Sequence, residues 1–295
     1  MFSKIDFVGR WRLWFAISGV LLAAGIAAIA LGNLNFGIDF EGGTKFTVAS
    51  TDRQLGEGEI RQALPDFVAR DAVIQTAGNG YEVRTPVLSG AQRSQVEDAL
   101  KETLGGEVSE TSVSPTFGGQ VRDQALQAVA AALLIIVAFI SIRFEFAFAL
   151  AAMVALLHDI LITVGFYAIV GREVTLVTVV AVLTVLGYSL YDTIIIFDRI
   201  RENTPRVGYN RRRFDETVNG SIRQVVRRSI YTSLCTLIPI TALLIFGETT
   251  LADFAFALLV GIIAGTYSSI FIASPVLSLY KAWRAGRLRQ APRSA

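Results

Sequence analysis

The chain has 295 residues, of which 53% are hydrophobic, with 27 basic and 25 acidic side chains, a formal net charge of +2 and a mean hydropathy of +0.52. The apolar residues gather into long runs, which excludes an ordinary soluble domain and points to a membrane protein. A single cysteine, Cys235, excludes an intramolecular disulfide, and a single histidine, His158, without a Cys/His cluster, gives no sign of a metal or another cofactor.

Lys4, Arg10 and Arg12 precede an uncharged run from Leu13 to Leu31, long enough to span a bilayer. A cleaved signal peptide is the rival reading, since Ala28-Ile29-Ala30 resembles a cleavage site. The run exceeds the roughly 7–15 apolar residues of a signal peptide, which favours an uncleaved first helix. Residues 1–32 are therefore read as a short N-terminus and transmembrane helix 1.

Residues 33–123 are polar and interrupted by glycines. Gly43–Val48 reads as a strand and Glu59–Leu64 as a short helix. Ala72–Thr76 and Tyr81–Thr85 read as strands around Gly78-Asn79-Gly80, a hairpin signal. Gln92–Leu104 places Val96, Leu100 and Leu104 on one helical face. Glu107–Val113 alternates as a last strand. The order βαββαβ is the ferredoxin-like pattern. This segment carries 8 Lys/Arg against 14 Asp/Glu. It contains no catalytic dyad, so it reads as a folded extramembrane domain that binds or transmits force rather than as an enzyme.

Residues 124–280 hold the other spans. These are Ala125–Ile142, Phe146–Val170, Val174–Phe197, Ser229–Phe246 and Phe254–Tyr280, with a basic loop at 198–227 and a basic tail at 281–295. The expected fold is a polytopic α-helical membrane protein of six transmembrane helices, with an extracytoplasmic ferredoxin-like α+β domain inserted between helices 1 and 2. Arg199, Arg201, Arg206, Arg211, Arg212, Arg213, Arg223 and Arg227 make the loop basic. Six spans put this loop and both termini on one side, which the positive-inside rule makes cytoplasmic. Topology and anionic membrane lipid explain the basic loop; no nucleic-acid role is expected.

A charged side chain inside a span is a functional hypothesis by default. Asp192 lies about four residues, roughly 6–9 Å, inside the cytoplasmic end of its span. Arg228 enters the next span from the same side, at similar depth. An Asp192–Arg228 contact that opens and closes makes a proton-coupled switch; a static ion pair joining two helices is the alternative. Asp159 and His158 stand mid-span in the third helix, as a second relay or as packing groups. Adjacent residues point about 100° apart on a helix, so both are not expected to face one site directly. Tyr188, Ser189 and Tyr191 around Asp192, with Thr232 and Ser233 one turn beyond Arg228, supply polar support. Gly261 and Gly265 give the sixth span a small-residue packing face.

Together these blocks resemble the SecF group of the SecD/SecF family, RND-type proteins of bacterial protein export. They are Phe36 to Thr44 (FGIDFEGGT, with Asp39, Glu41, Gly42 and Gly43), the Asp192 stretch, Arg228 with Thr232-Ser233, and Ala264 to Pro275. The resemblance covers essentially the whole chain. It implies a multi-pass protein of the bacterial cytoplasmic (inner) membrane, paired with a SecD-like six-helix partner. Such a pair uses the proton-motive force to help move a preprotein through the SecYEG channel. It implies no enzyme activity, and it assigns proton movement to Asp192 and Arg228. The family usually carries Asn where this chain has Tyr191 and Tyr231. A proton-driven RND-type half-exporter of small molecules or lipids is the alternative, and a purely structural assembly factor is a third class.

Overall fold

The computed structural model describes residues 5–49, 55–77, 80–204, 210–247 and 249–290. Lys4, Gly78 and Asn79 of the expected hairpin turn, Arg206 and Arg293 lie outside the described residues.

The first apolar helix, α1, runs Trp11–Ala30. A two-residue strand β1 (Asn35–Phe36) and a short helix α2 (Ile38–Glu41) follow. Next come β2 (Gly43–Ala49), α3 (Glu57–Ala63), α4 (Asp66–Ala69), β3 (Val73–Ala77), β4 (Gly80–Thr85), α5 (Gly90–Leu104) and β5 (Glu107–Val113). The four longer strands form an antiparallel sheet in the order β3-β4-β2-β5. Phe46 of β2 lies opposite Val83 of β4 and Glu110 of β5.

Alternation along β2 sends Phe46 and Val48 to one face, where they meet Val83, Ile74, Ile60 and the α5 residues Val96, Leu100 and Leu104. The four-residue spacing on α5 makes one apolar stripe, and that stripe is the part of α5 that is buried. Ser89 and Gln92 close a capping box at its start, and Gly105 ends it with φ 71°.

The membrane-type helices follow. They are α6 (Pro115–Arg143), α7 (Phe146–Val170), α8 (Leu176–Asn203), α9 (Arg211–Phe246), α10 (Thr249–Ser268) and α11 (Ser274–Gln290). A short strand, β6 (Glu173–Val174), separates α7 from α8, and a π-helical turn (Ser269–Ala273) joins α10 to α11. Pro275 has no N–H for the carbonyl four residues back, at Phe271, which accounts for the widened ladder there. With α10 and α11 continuous through that turn, six helical stretches among the described residues are long and apolar enough to cross a membrane.

The sequence reading placed a polar loop over 198–227, yet most of it is helix. α8 continues to Asn203 and α9 begins at Arg211. Hydropathy marks where lipid ends, not where a helix ends. Outside the apolar zone α9 is sustained by ion pairs one turn apart, Arg211–Asp215 and Arg212–Glu216. Likewise α6 starts at Pro115, about three turns before the apolar run, with Ser114 capping it, and α11 carries the basic tail to Gln290.

Glycines set the closest helix crossings. A Cβ on Gly25 of α1 would lie 2.8 Å from the Gly165 Cα of α7, so these backbones touch. Gly261 and Gly265 of α10 press on Val185 and Ser189 of α8, where an added Cβ would have no room.

The sheet unit meets the helices through the FGIDFEGGT segment. β1 pairs in parallel with β6, with Asn35 beside Glu173 and Phe36 beside Val174. Gly37 N–H donates to the Val174 carbonyl at 2.9 Å. Asp39 Oδ2 accepts the first N–H of α8, from Leu176, at 3.0 Å. Gly42 (φ 77°) and Gly43 (φ 133°) adopt backbone open mainly to glycine, and a Cβ on Gly42 would strike Pro115 at 2.7 Å. Glu41 is exposed at the end of α2.

Candidate intramembrane polar site

Asp159 is fully buried on α7. A bare carboxylate there is costly, and the chain surrounds it with donors. Ser189 of α8 donates to its Oδ2 at 2.6 Å, and Ser268 of α10 donates to the same oxygen at 2.9 Å. His158 Nδ1 lies 3.0 Å from Oδ1. The two adjacent side chains therefore do share one site, contrary to the expectation from their helical angle. That contact closes the gap that the Cβ directions leave open. Its Nε2 is 3.1 Å from Ser18 Oγ on α1. Tyr267 of α10 stacks at 6.1 Å from the imidazole and donates to the Trp14 carbonyl at 2.9 Å. Four helices are thus cross-linked around one His–Asp pair.

One turn further along α8 stands Asp192, 3% exposed. Ser229 and Arg228 of α9 neighbour its carboxyl group. One oxygen, Oδ2, is buried without a partner among the described residues. Arg228 is next to Ser229 and exposed, as the antiparallel run of α8 and α9 leads one to expect. Its guanidinium does not close on Asp192: Nη2 donates to the Tyr191 hydroxyl at 3.1 Å. Tyr191 and Tyr231 are 53% and 61% exposed, on the same open flank.

The supporting residues divide between two places. Tyr188 donates to Ser233 at 3.1 Å, and Ser233 meets Thr266 of α10 at 2.6 Å. Thr193 meets Ser269 of the π turn at 2.8 Å. Thr232 spends its hydroxyl on the backbone carbonyls of Arg228 and Ser229. Asp39, Glu41, Gly42 and Gly43 are far in role from this site and build the joint to the sheet unit. Sequence reasoning missed Ser18, Ser229, Tyr267 and Ser268 as site members. The available signal was a hydroxyl standing in an apolar run, and for Ser268 and Ser269 a serine pair six residues before a proline. Among the described residues no cluster of three His, Cys, Asp or Glu suited to a metal is found.

Comparison with known proteins agrees with this architecture. Residues 95–283 match the family model "Protein export membrane protein SecD/SecF, C-terminal". The protein translocase subunit SecF of Mycobacterium tuberculosis is 40% identical over 294 residues, covering 93% of this chain and 66% of that protein. SecF of Calditerrivibrio nitroreducens is 36% identical, with 96% of both chains covered. The crystal structure of SecDF from Thermus thermophilus, a translocon-associated membrane protein, superposes with a TM-score of 0.87 at 34% identity, covering 95% of this chain and 39% of that one. The chain thus spans about two fifths of the SecDF chain and just under two thirds of the mycobacterial relative. With a family model over more than half its length and a relative matched almost end to end, the chain belongs to the SecF group of the SecD/SecF family of protein-export membrane proteins.

Proposed function

We propose that this chain is the SecF-type half of a proton-driven unit that assists preprotein movement through a SecYEG-type channel, and that Asp192 is its central proton-binding group. The observation that carries the reading is the Asp192 carboxyl: buried, with one oxygen unpartnered among the described residues and the neighbouring Arg228 guanidinium held on Tyr191 instead. A structural ion pair would close Arg228 on the carboxylate, whereas here the guanidinium goes to Tyr191 and no cation touches the buried Asp192 carboxyl among the described residues. Asp159 and His158 form a second, fully partnered station, joined to α8 through Ser189. The family affiliation supports the export role.

The partner is a SecD-like six-helix chain. In α7 61% of the apolar window is buried, but only 11% in α6 and 17% in α9. Tyr191, Tyr231, Leu234 and Ile238 on that flank await a covering surface. The chain lies in the cytoplasmic membrane, with both ends and the 198–227 region in the cytoplasm and residues 33–123 outside. The order β3-β4-β2-β5, with α3 and α5 against one face of the sheet, supports a ferredoxin-like reading of that outer segment.

The test is proton-gradient-dependent preprotein export in vesicles holding this chain, its partner and the channel. Asp192→Asn is nearly the same size and mimics the protonated state. It is expected to assemble and to lose gradient stimulation. An assembled Asp192→Asn complex that is stimulated like the wild type overturns the reading.

A further inference from the structure

We propose that Tyr191 is the positioning residue for Arg228: its hydroxyl holds the guanidinium clear of Asp192 whenever Asp192 carries a proton. The inference rests on the proton-binding role given to Asp192 above.

The geometry has three parts. Asp192 Oδ2 is buried and empty-handed among the described residues. The neighbouring guanidinium donates instead to Tyr191, at 3.1 Å. Tyr191 is the residue immediately before Asp192, so the two acceptors open to Arg228 sit side by side on α8, one on the exposed flank and one in the interior. Arg228 hydrogen-bonds Tyr191 and acts on Asp192 as a neighbouring positive charge, which gives a long, flexible arginine two resting places. With Asp192 ionised, the carboxylate is the stronger acceptor. With Asp192 protonated, the hydroxyl is the better one, and the guanidinium keeps a partner throughout instead of being stranded at the edge of the apolar zone. The structure holds the second arrangement.

The charged and titratable groups around this pair are few. Arg228 and the exposed Arg227 come from α9, and Asp159 with His158 comes from α7, reached through Ser189. Tyr188 and Tyr191 belong to α8 itself, and the exposed Tyr231 to α9. The π turn and α10 present Ser269, Ser268 and Thr266, which do not titrate. Tyr188 is engaged with Ser233 and Asp159 with its serines, so Tyr191 is the one of these groups that holds Arg228.

The experiment measures export against pH in vesicles holding the chain, its partner and the channel. Tyr191→Phe keeps the ring and removes the acceptor. Arg228 then returns to Asp192 and favours the ionised carboxylate, so about tenfold more protons are needed and the pH of half-maximal stimulation falls by about one unit. Tyr191→Asn restores an acceptor oxygen and returns the midpoint close to the wild-type value. A wild-type midpoint in Tyr191→Phe overturns the inference, and so does an equal shift in both variants. Failure of Tyr191→Phe to assemble also overturns it, because an exposed hydroxyl with a positioning role is not needed for folding. Asp192→Asn, run in parallel, separates the two levels. If it keeps gradient stimulation, the reading of Asp192 fails. If it loses stimulation while Tyr191→Phe stays at the wild-type midpoint, only the role of Tyr191 fails.

Discussion

Arg84, on β4 of the sheet unit, lies 3.6 Å from Glu173, in the turn between α7 and α8. Residues 89 positions apart thus join the sheet to the membrane helices by an ion pair with little access to water, beside the β1–β6 pairing. Burial pushes the Glu173 carboxyl above its ordinary range, and Arg84 draws it partly back.

That shift has a sign. A carboxyl raised in the folded state binds its proton more readily there than in the unfolded chain. Its favourable contribution is full below the ordinary glutamate value of about 4.3 and is lost as pH rises through the raised value. The joint is therefore expected to loosen from acid toward neutral pH. Hydrogen exchange at Gly37 N–H, corrected for the intrinsic rate, measures it. Glu173→Gln should flatten the profile, and an unchanged slope in that variant would remove Glu173 as the cause.

Asp39 adds a second cap to α8 from 137 positions away, taking the Leu176 N–H beside the Thr175–Thr178 capping box. Asp39→Ala is expected to lower stability by about 1 kcal/mol, the usual cost of losing such a cap. Asp39→Asn, which keeps an acceptor, should retain most of it. Thermal unfolding of the assembled complex in detergent tests the pair; identical losses in both variants would show that charge, not capping, matters.

The contact of Gly25 with Gly165 leaves no room for a side chain. Gly165→Val is expected to push α1 from α7 and to destabilise by about 1–3 kcal/mol. It should also break the His158–Ser18 contact. A melting temperature equal to that of the wild type is the contrary result.

His158 tests the second station. His158→Gln can still hydrogen-bond but cannot take up a proton near neutrality. If His158 relays protons, gradient-driven export falls several-fold while assembly holds. Full export from an assembled His158→Gln complex would reduce His158 to a packing role.

Topology has its own check. Glu102 is exposed on α5. In a Cys235→Ser background, Glu102→Cys should react with an impermeant thiol reagent applied from outside the cell. Reaction only after lysis would reverse the proposed orientation.

The number of apolar helices, and the intramembrane charges, could be read from the sequence because lipid imposes a one-dimensional rule on composition. What could not be read depended on distant partners. The Asp39 side chain reads as an ordinary loop carboxylate until Leu176 is brought to it. The same holds for Ser18, whose only distinction in α1 is a hydroxyl that finds His158. The proximity of Asp192 and Arg228 followed from antiparallel helices, but which acceptor the guanidinium takes is a choice between neighbouring rotamers, and no periodicity encodes that.

The cap that Asp39 places on α8 also has a mechanical side. From Leu176 to Asp192 is 16 residue steps of unbroken helix, about 24 Å at 1.5 Å per residue. One end of this rod is clamped to the sheet unit by Gly37, Asp39 and Arg84, and the other end carries the buried Asp192 carboxyl. No hinge glycine with positive φ interrupts it. A helix of that length without a hinge moves as a piece, so a tilt at Asp192 would reach the base of the sheet without being absorbed on the way. Under the proposed proton-binding role of Asp192, α8 is the lever arm that would join that event to the sheet.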